Sequence, residues 1–179
     1  NMTPAEQQFL TRNKLPESYL DSAEKWFSPL LEHYKTVGDR PLVIGINGSQ
    51  GSGKSTLADY LCTLLSERYA LRCVSLSLDD FYLTQTERKR LSESIHPLFA
   101  TRGVPGTHDL ALLNSTLQAL TKVDGPVALP EFDKAQDERT KPVQWRQVCA
   151  PVRLIFLEGW CVGISPQSDL ALVEPVNET

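Results

Sequence analysis

Residues 45–56, GINGSQGSGKST, limit what this chain can fold into more than any other stretch. Four glycines, three serines and one lysine fall between the apolar run Leu42-Val43-Ile44 and the helically spaced segment LADYLCTLL. A plain turn between two such elements needs neither that many glycines nor a Lys-Ser pair. Gly48 to Ser55 fits the spacing G-x-x-x-x-G-K-[ST]. Glycines at those positions let successive backbone N–H groups converge on one point. The helix that follows aims its N-terminal dipole and free N–H groups at the same point. The ligand that suits such a nest is the triphosphate of a nucleotide, with ATP and Mg²⁺ as the expected pair. On this reading Gly48, Ser49, Gln50, Gly51, Ser52, Gly53, Lys54, Ser55 and Thr56 form the nucleotide site. Lys54 places a positive charge by the β- and γ-phosphates, Ser55 offers its hydroxyl to Mg²⁺, and Thr56 supports the α-phosphate.

The flanking pattern predicts the layers around this loop. Residues 5–36 read as helical, with Tyr19, Leu20, Ala23, Phe27, Leu30, Leu31 and Tyr34 on one broad face. A strand over 41–46, a helix over 54–69, a second strand over 72–80 and a short helix over 85–94 follow. Residues 96–109 read as an ordered loop, and Asp109 as the cap of a helix running to about 121. A strand-like piece begins at 125 and passes into a polar loop ending near 142. VRLIFLEG, at 152–159, is an almost unbroken apolar run, as expected of a strand buried on both faces. Strands alternating with helices imply an α/β fold with a parallel sheet.

Two further features carry chemistry. Glu158 closes the buried 152–159 strand, where a carboxylate is costly without a partner; Mg²⁺ at the phosphate loop is the expected one. In SLDDFY, at 77–82, two adjacent carboxylates stand where α/β sheets bind ligands. Either Asp79 or Asp80 can accept the proton of a hydroxyl that receives a phosphoryl group.

Composition excludes other classes. The 179 residues suffice for one domain with a real core. A net charge of -4 argues against a nucleic-acid partner. The densest basic run, Arg88-Lys89-Arg90, reads as a solvated helix face. No apolar run reaches the length of a membrane span, and no signal-peptide pattern opens the chain. The four cysteines, Cys62, Cys73, Cys149 and Cys161, show no metal spacing and read as buried free thiols, so a cytoplasmic protein is expected. The sequence carries no signal of oligomeric state.

The motifs GSQGSGKST, SLDDFYLT, RGVPGTHDL, LPEFDKAQDER and LIFLEGW occur in an order that resembles the D-glycerate 3-kinase-like P-loop kinases, relatives of uridine kinase, phosphoribulokinase and pantothenate kinase. The resemblance runs from about residue 40 to 163. It implies a kinase-type P-loop NTPase, a three-layer sandwich with a parallel central sheet. It also implies ATP-dependent phosphorylation of a small hydroxylated metabolite, D-glycerate first. Under it Asp79 becomes the base, with Lys54 and Asp80 completing the catalytic set. Tyr82, Arg102, His108, Asp109, Asp133, Lys134 and Arg139 fall with Asp79 on the acceptor-site segments. A carboxylate-bearing acceptor independently asks for a cation, and Arg102, Lys134 and Arg139 qualify. Phe81, Tyr82 and Trp160 read mainly as packing. Members of the family continue well past the Glu158 strand into a lid and further strands, so the chain is expected to be a piece of a longer protein. The domain reading is a helical segment over 1–38 and a P-loop core over 39–179. The alternatives are a uridine or pantothenate kinase-like activity, or a nucleotide-binding ATPase or switch.

Overall fold

Apolar strands covered by amphipathic helices have one economical solution, a sheet sandwiched between helical layers. In the computed structural model, which describes residues 2–38 and 40–173, the helices are α1 (Pro4–Asn13), α2 (Ser18–Tyr34), α3 (Lys54–Tyr69), α4 (Gln85–Ser94) and α5 (Leu110–Lys122). The strands are β1 (Leu42–Asn47), β2 (Cys73–Ser77), β3 (Gly125–Leu129), β4 (Phe132–Asp133), β5 (Glu138–Arg139), β6 (Arg146–Ala150) and β7 (Leu154–Gly159). The central sheet is parallel, in the order β1-β7-β2. Its register sets Asn47 opposite Gly159 and Ser77 opposite Glu158. The phosphate loop, Glu158 and the SLDDFY segment therefore leave the sheet at one edge, the carboxyl ends of the strands.

Side-chain alternation along β7 divides the core in two. Leu154 and Phe156 pack with Phe9, Leu10, Ala23, Leu31, Tyr60, Leu61, Leu64 and Leu65 on the α1–α2–α3 side. Ile155 packs with Val74, Leu76, Leu113, Leu120, Val127 and Leu129 on the α5 side. Glu158 shares the parity of Leu154 and Phe156, so its side chain emerges on the face where α3 begins.

The helical preface is two helices, not one. Lys14 adopts a left-handed backbone (φ 54°) that ends α1, and Pro16 forbids continuation through Leu15. Thr3 and Glu6 form a reciprocal capping box at the start of α1. All seven residues of the predicted apolar face in 19–34 join the α3-side core. The second strand stops at Ser77, and a 3-10 helix, Leu78–Phe81, carries both aspartates. The expected polar loop after 125 holds a short hairpin, β4–β5, and is followed by β6, which pairs antiparallel with β3. β6 escapes sequence reading because RQVCA is polar on one side and half exposed.

Two readings of composition are corrected. Arg88 is not solvated; it is 1% exposed, its charge met by four hydrogen bonds. The cysteines are free, but Cys149 is exposed and the other three are only partly buried. Among the described residues, no helix is long and apolar enough to cross a membrane.

Candidate active site

The phosphate loop takes its shape from positions where a side chain does not fit. Gly51 and Gly53 sit at φ 78° and 85°, backbone that L-residues rarely adopt. A Cβ on Gly48 would lie 2.7 Å from the Ser52 hydroxyl. Gly53 caps α3, so the free N–H groups of that helix's first turn face the loop. Thr56 lies in this first turn. Lys54 Nζ donates to the Ser49 carbonyl at 3.3 Å and stands 3.8 Å from Glu158 Oε2. The Ser55 hydroxyl donates to Glu158 Oε1 at 2.9 Å.

Glu158 is 4% exposed, and its Oε2 accepts no hydrogen bond. Ser55 Oγ and the two oxygens of the buried Glu158 carboxylate are a hard, oxygen-only donor set. That set fits Mg²⁺, which takes one or two protein ligands and completes its shell from phosphates and water. No group of three or more His, Cys, Asp or Glu suited to a metal occurs among the described residues.

A cavity of about 640 Å³ opens from this loop. Ser49, Gln50, Gly51, Lys54, Ser55 and Glu158 of the phosphate loop and β7 line it together with Asp79, Tyr82, Arg102, Lys134, Ser77 and Trp160. Asp79 Oδ2 accepts from Lys134 Nζ at 2.6 Å. The neighbouring aspartate behaves differently. Asp80 Oδ1 accepts from the Phe132 backbone N–H at 3.2 Å, and burial pushes its carboxyl up to about 6. It borders a smaller recess of about 360 Å³ that shares Ser55, Ser77, Asp79, Lys134 and Glu158 with the main cavity.

The remaining predicted acceptor residues stand one layer back. Tyr82 and His108 pair as an isolated antiparallel bridge, their rings stacked at 4.4 Å. Burial lowers the His108 imidazole from its ordinary value and raises the Tyr82 phenol to about 12. Asp109 caps α5 through the Leu112 N–H and accepts from Arg139 Nη2 at 3.0 Å, the same guanidinium nitrogen that donates to the Tyr82 carbonyl. Asp133 accepts from the Ala135 and Gln136 N–H groups and shapes the β4–β5 turn. These four brace the wall that Tyr82, Arg102 and Lys134 present. Trp160, 41% exposed, faces the cavity rather than a packed core. Its place directly after the last residue of β7 was the signal, since that is where strand ends meet ligands. Asp137, which ties Arg102 in place, carried no signal in the sequence.

No family model matches the chain. An "Uncharacterized kinase mug58" of Schizosaccharomyces pombe is 41% identical over 144 residues, 76% of this chain and 52% of that protein. A "D-glycerate 3-kinase, chloroplastic" of Arabidopsis thaliana is 35% identical over 139 residues, 70% of this chain and 29% of that protein. Among solved structures, a D-glycerate 3-kinase from Cryptococcus neoformans var. grubii superposes with a TM-score of 0.65 at 34% identity, over 88% of this chain and 57% of that one. The chain spans 52% of the length of the Schizosaccharomyces pombe relative and 29% of the Arabidopsis one. With the phosphate loop, the parallel sheet order and these likenesses together, the chain belongs to the D-glycerate 3-kinase-like family of P-loop kinases.

Proposed function

We propose that this protein transfers the γ-phosphoryl group of ATP to a hydroxyl of a small anionic metabolite, with D-glycerate as the leading acceptor. The observation that carries the reading is that one cavity is lined both by Lys54 and Glu158 and by Asp79, Lys134 and Arg102. The first pair suits a polyphosphate, the second group an alcohol bearing negative charge. The relatives named D-glycerate 3-kinase support the choice of acceptor.

The division of labour follows from position. The loop amides and Lys54 hold the β- and γ-phosphates and offset the charge that spreads over the transferring group. Ser55 and Glu158 would hold Mg²⁺, which when bound neutralises phosphate charge. Asp79 takes the acceptor proton as the new O–P bond forms and the bond to the β,γ-bridging oxygen breaks, releasing ADP. Asp79 is favoured over Asp80 because Asp79 lines the cavity, whereas Asp80 is turned to the Phe132 N–H. Lys134 holds Asp79 until an acceptor enters and then faces the acceptor's anionic group beside Arg102. Trp160 gives the cavity an apolar wall that limits water.

The test is ATP-dependent phosphorylation by the full chain across D-glycerate, L-glycerate, uridine and pantothenate. Formation of phosphoglycerate well above the other products is expected. Phosphorylation of uridine or pantothenate without glycerate would replace the acceptor, and ATP hydrolysis indifferent to every acceptor would remove the kinase reading.

A further inference from the structure

Arg102, which lines the cavity, is tied through Asp137 to a buried charge that phosphate chemistry does not require. Arg88, on α4, is the largest fully buried side chain among the described residues. Its Nε donates to the Leu83 carbonyl at 3.1 Å and its Nη1 to the Ala100 carbonyl at 3.2 Å. Its Nη2 donates to both the Asp137 carbonyl and Asp137 Oδ2, at 2.9 and 2.8 Å. These acceptors belong to three separate segments: the end of SLDDFYL, the loop leading to Arg102, and the turn of the hairpin that carries Lys134. Asp137 Oδ1 accepts from Arg102, whose guanidinium lines the cavity. Both guanidiniums also lie about 6 Å from the Phe132 ring, at 6.0 Å for Arg88 and 5.8 Å for Arg102.

The charge count is informative. Two guanidiniums share one carboxylate, so the group keeps one net positive charge, and its half-buried member, Arg102, lines the cavity. Burial alone would raise the Asp137 carboxyl; the Arg88 and Arg102 hydrogen bonds outweigh it and hold it below the ordinary value. A buried guanidinium is weak evidence for stability, since an apolar side chain of similar volume often does as well. What an apolar residue cannot do is orient Asp137. Arg supplies a rigid fork; Lys supplies a point charge.

We propose that Arg88 is a positioning residue for acceptor recognition: through Asp137 it fixes the Arg102 guanidinium at the cavity wall and leaves that wall one uncompensated positive charge for an anionic group on the acceptor. The proposal rests on the kinase reading above and adds to it a specificity device outside the cavity.

Steady-state kinetics of the full chain with ATP and D-glycerate test it, using Asp137→Asn, Arg88→Lys, Arg102→Gln and the double variant Arg102→Gln/Asp137→Asn. Asp137→Asn should raise the acceptor KM about tenfold, as expected for a misaligned charge-assisted contact, with the ATP KM and kcat within about twofold. Arg88→Lys should reproduce this pattern, because it keeps the charge and loses the fork. The double variant should be no worse than Arg102→Gln alone, since both act on one guanidinium. A merely structural role would instead depress the parameters for both substrates together and lower the melting temperature. An acceptor KM unchanged in Asp137→Asn, or effects that multiply in the double variant, would overturn the proposal while the kinase reading stands. Absence of acceptor phosphorylation by the unsubstituted chain would remove the kinase reading and the proposal with it.

Discussion

At the scale of single residues, the site separates groups that composition treats as equal. Lys54 contributes a point charge between the Ser49 carbonyl and Glu158, on the cavity wall. Lys54→Ala should lower kcat by about a hundredfold or more, the usual loss when a donor to transition-state charge is removed, measured by coupled ATP-dependent turnover. Asp79→Asn should lower kcat by a factor of about 10²–10⁴, the range for a lost general base, while nucleotide affinity by titration calorimetry stays unchanged. Should Asp80→Asn be the damaging change instead, the base shifts by one position. For Asp80 the expected effect concerns stability. An unfolded aspartate titrates near 3.9, and the folded one near 6. Between those values the native state holds a proton that the unfolded state has released, so stability falls as pH rises from about 4 to about 6 and then levels. Asp80→Asn keeps an acceptor for the Phe132 N–H and removes this slope. Melting temperatures from pH 4 to 8 should show the variant gaining on the unsubstituted protein across that window and running parallel above it.

At the scale of elements, the ends of strands decide function. Glu158 reaches Ser55 because the two-residue repeat of β7 puts it on the α3 face with Leu154 and Phe156, and that parity is readable from LIFLEG alone. The 3-10 helix after β2 is held against the end of β7 by a close approach. A Cβ on Gly159 would lie 2.8 Å from Leu78 Cβ and 3.0 Å from Val162 Cγ2. Leu78 Cβ cannot rotate away, so the turn bearing Asp79 must shift. Gly159→Ala should cost about 1–3 kcal/mol, as overpacking does, and should reduce kcat together with the melting temperature, read by calorimetry and turnover. The break between α1 and α2, absent from the sequence reading, had a signal in Pro16, whereas the left-handed turn at Lys14 had none. The strand character of β6, by contrast, exists only through its pairing with β3.

At the scale of the whole molecule, the sheet order leaves β1 on an edge. Leu42 and Val43 are 41% and 44% exposed, although parallel strands are normally covered on both faces. An exposed apolar edge strand is a template for further pairing. The 179-residue chain by itself should therefore self-associate with rising concentration, and Val43→Lys should suppress this in light scattering without lowering the melting temperature by more than a few degrees.

The phosphate loop, the strand ending in Glu158 and the α/β alternation were determined by local sequence. Each depends on short-range rules: glycine conformations, a helix N-terminus, a two-residue repeat. Tertiary structure alone decided which aspartate of the adjacent pair faces the cavity, because a 3-10 helix rotates neighbouring side chains apart and only the Phe132 N–H, over fifty residues away in sequence, fixes the second. It also decided that Arg88 is buried while Lys89 and Arg90 are exposed. Arg88 and Arg90 are the same residue type two positions apart and differ only in what the fold brings to meet them, and the partners of Arg88 come from segments up to 49 residues distant.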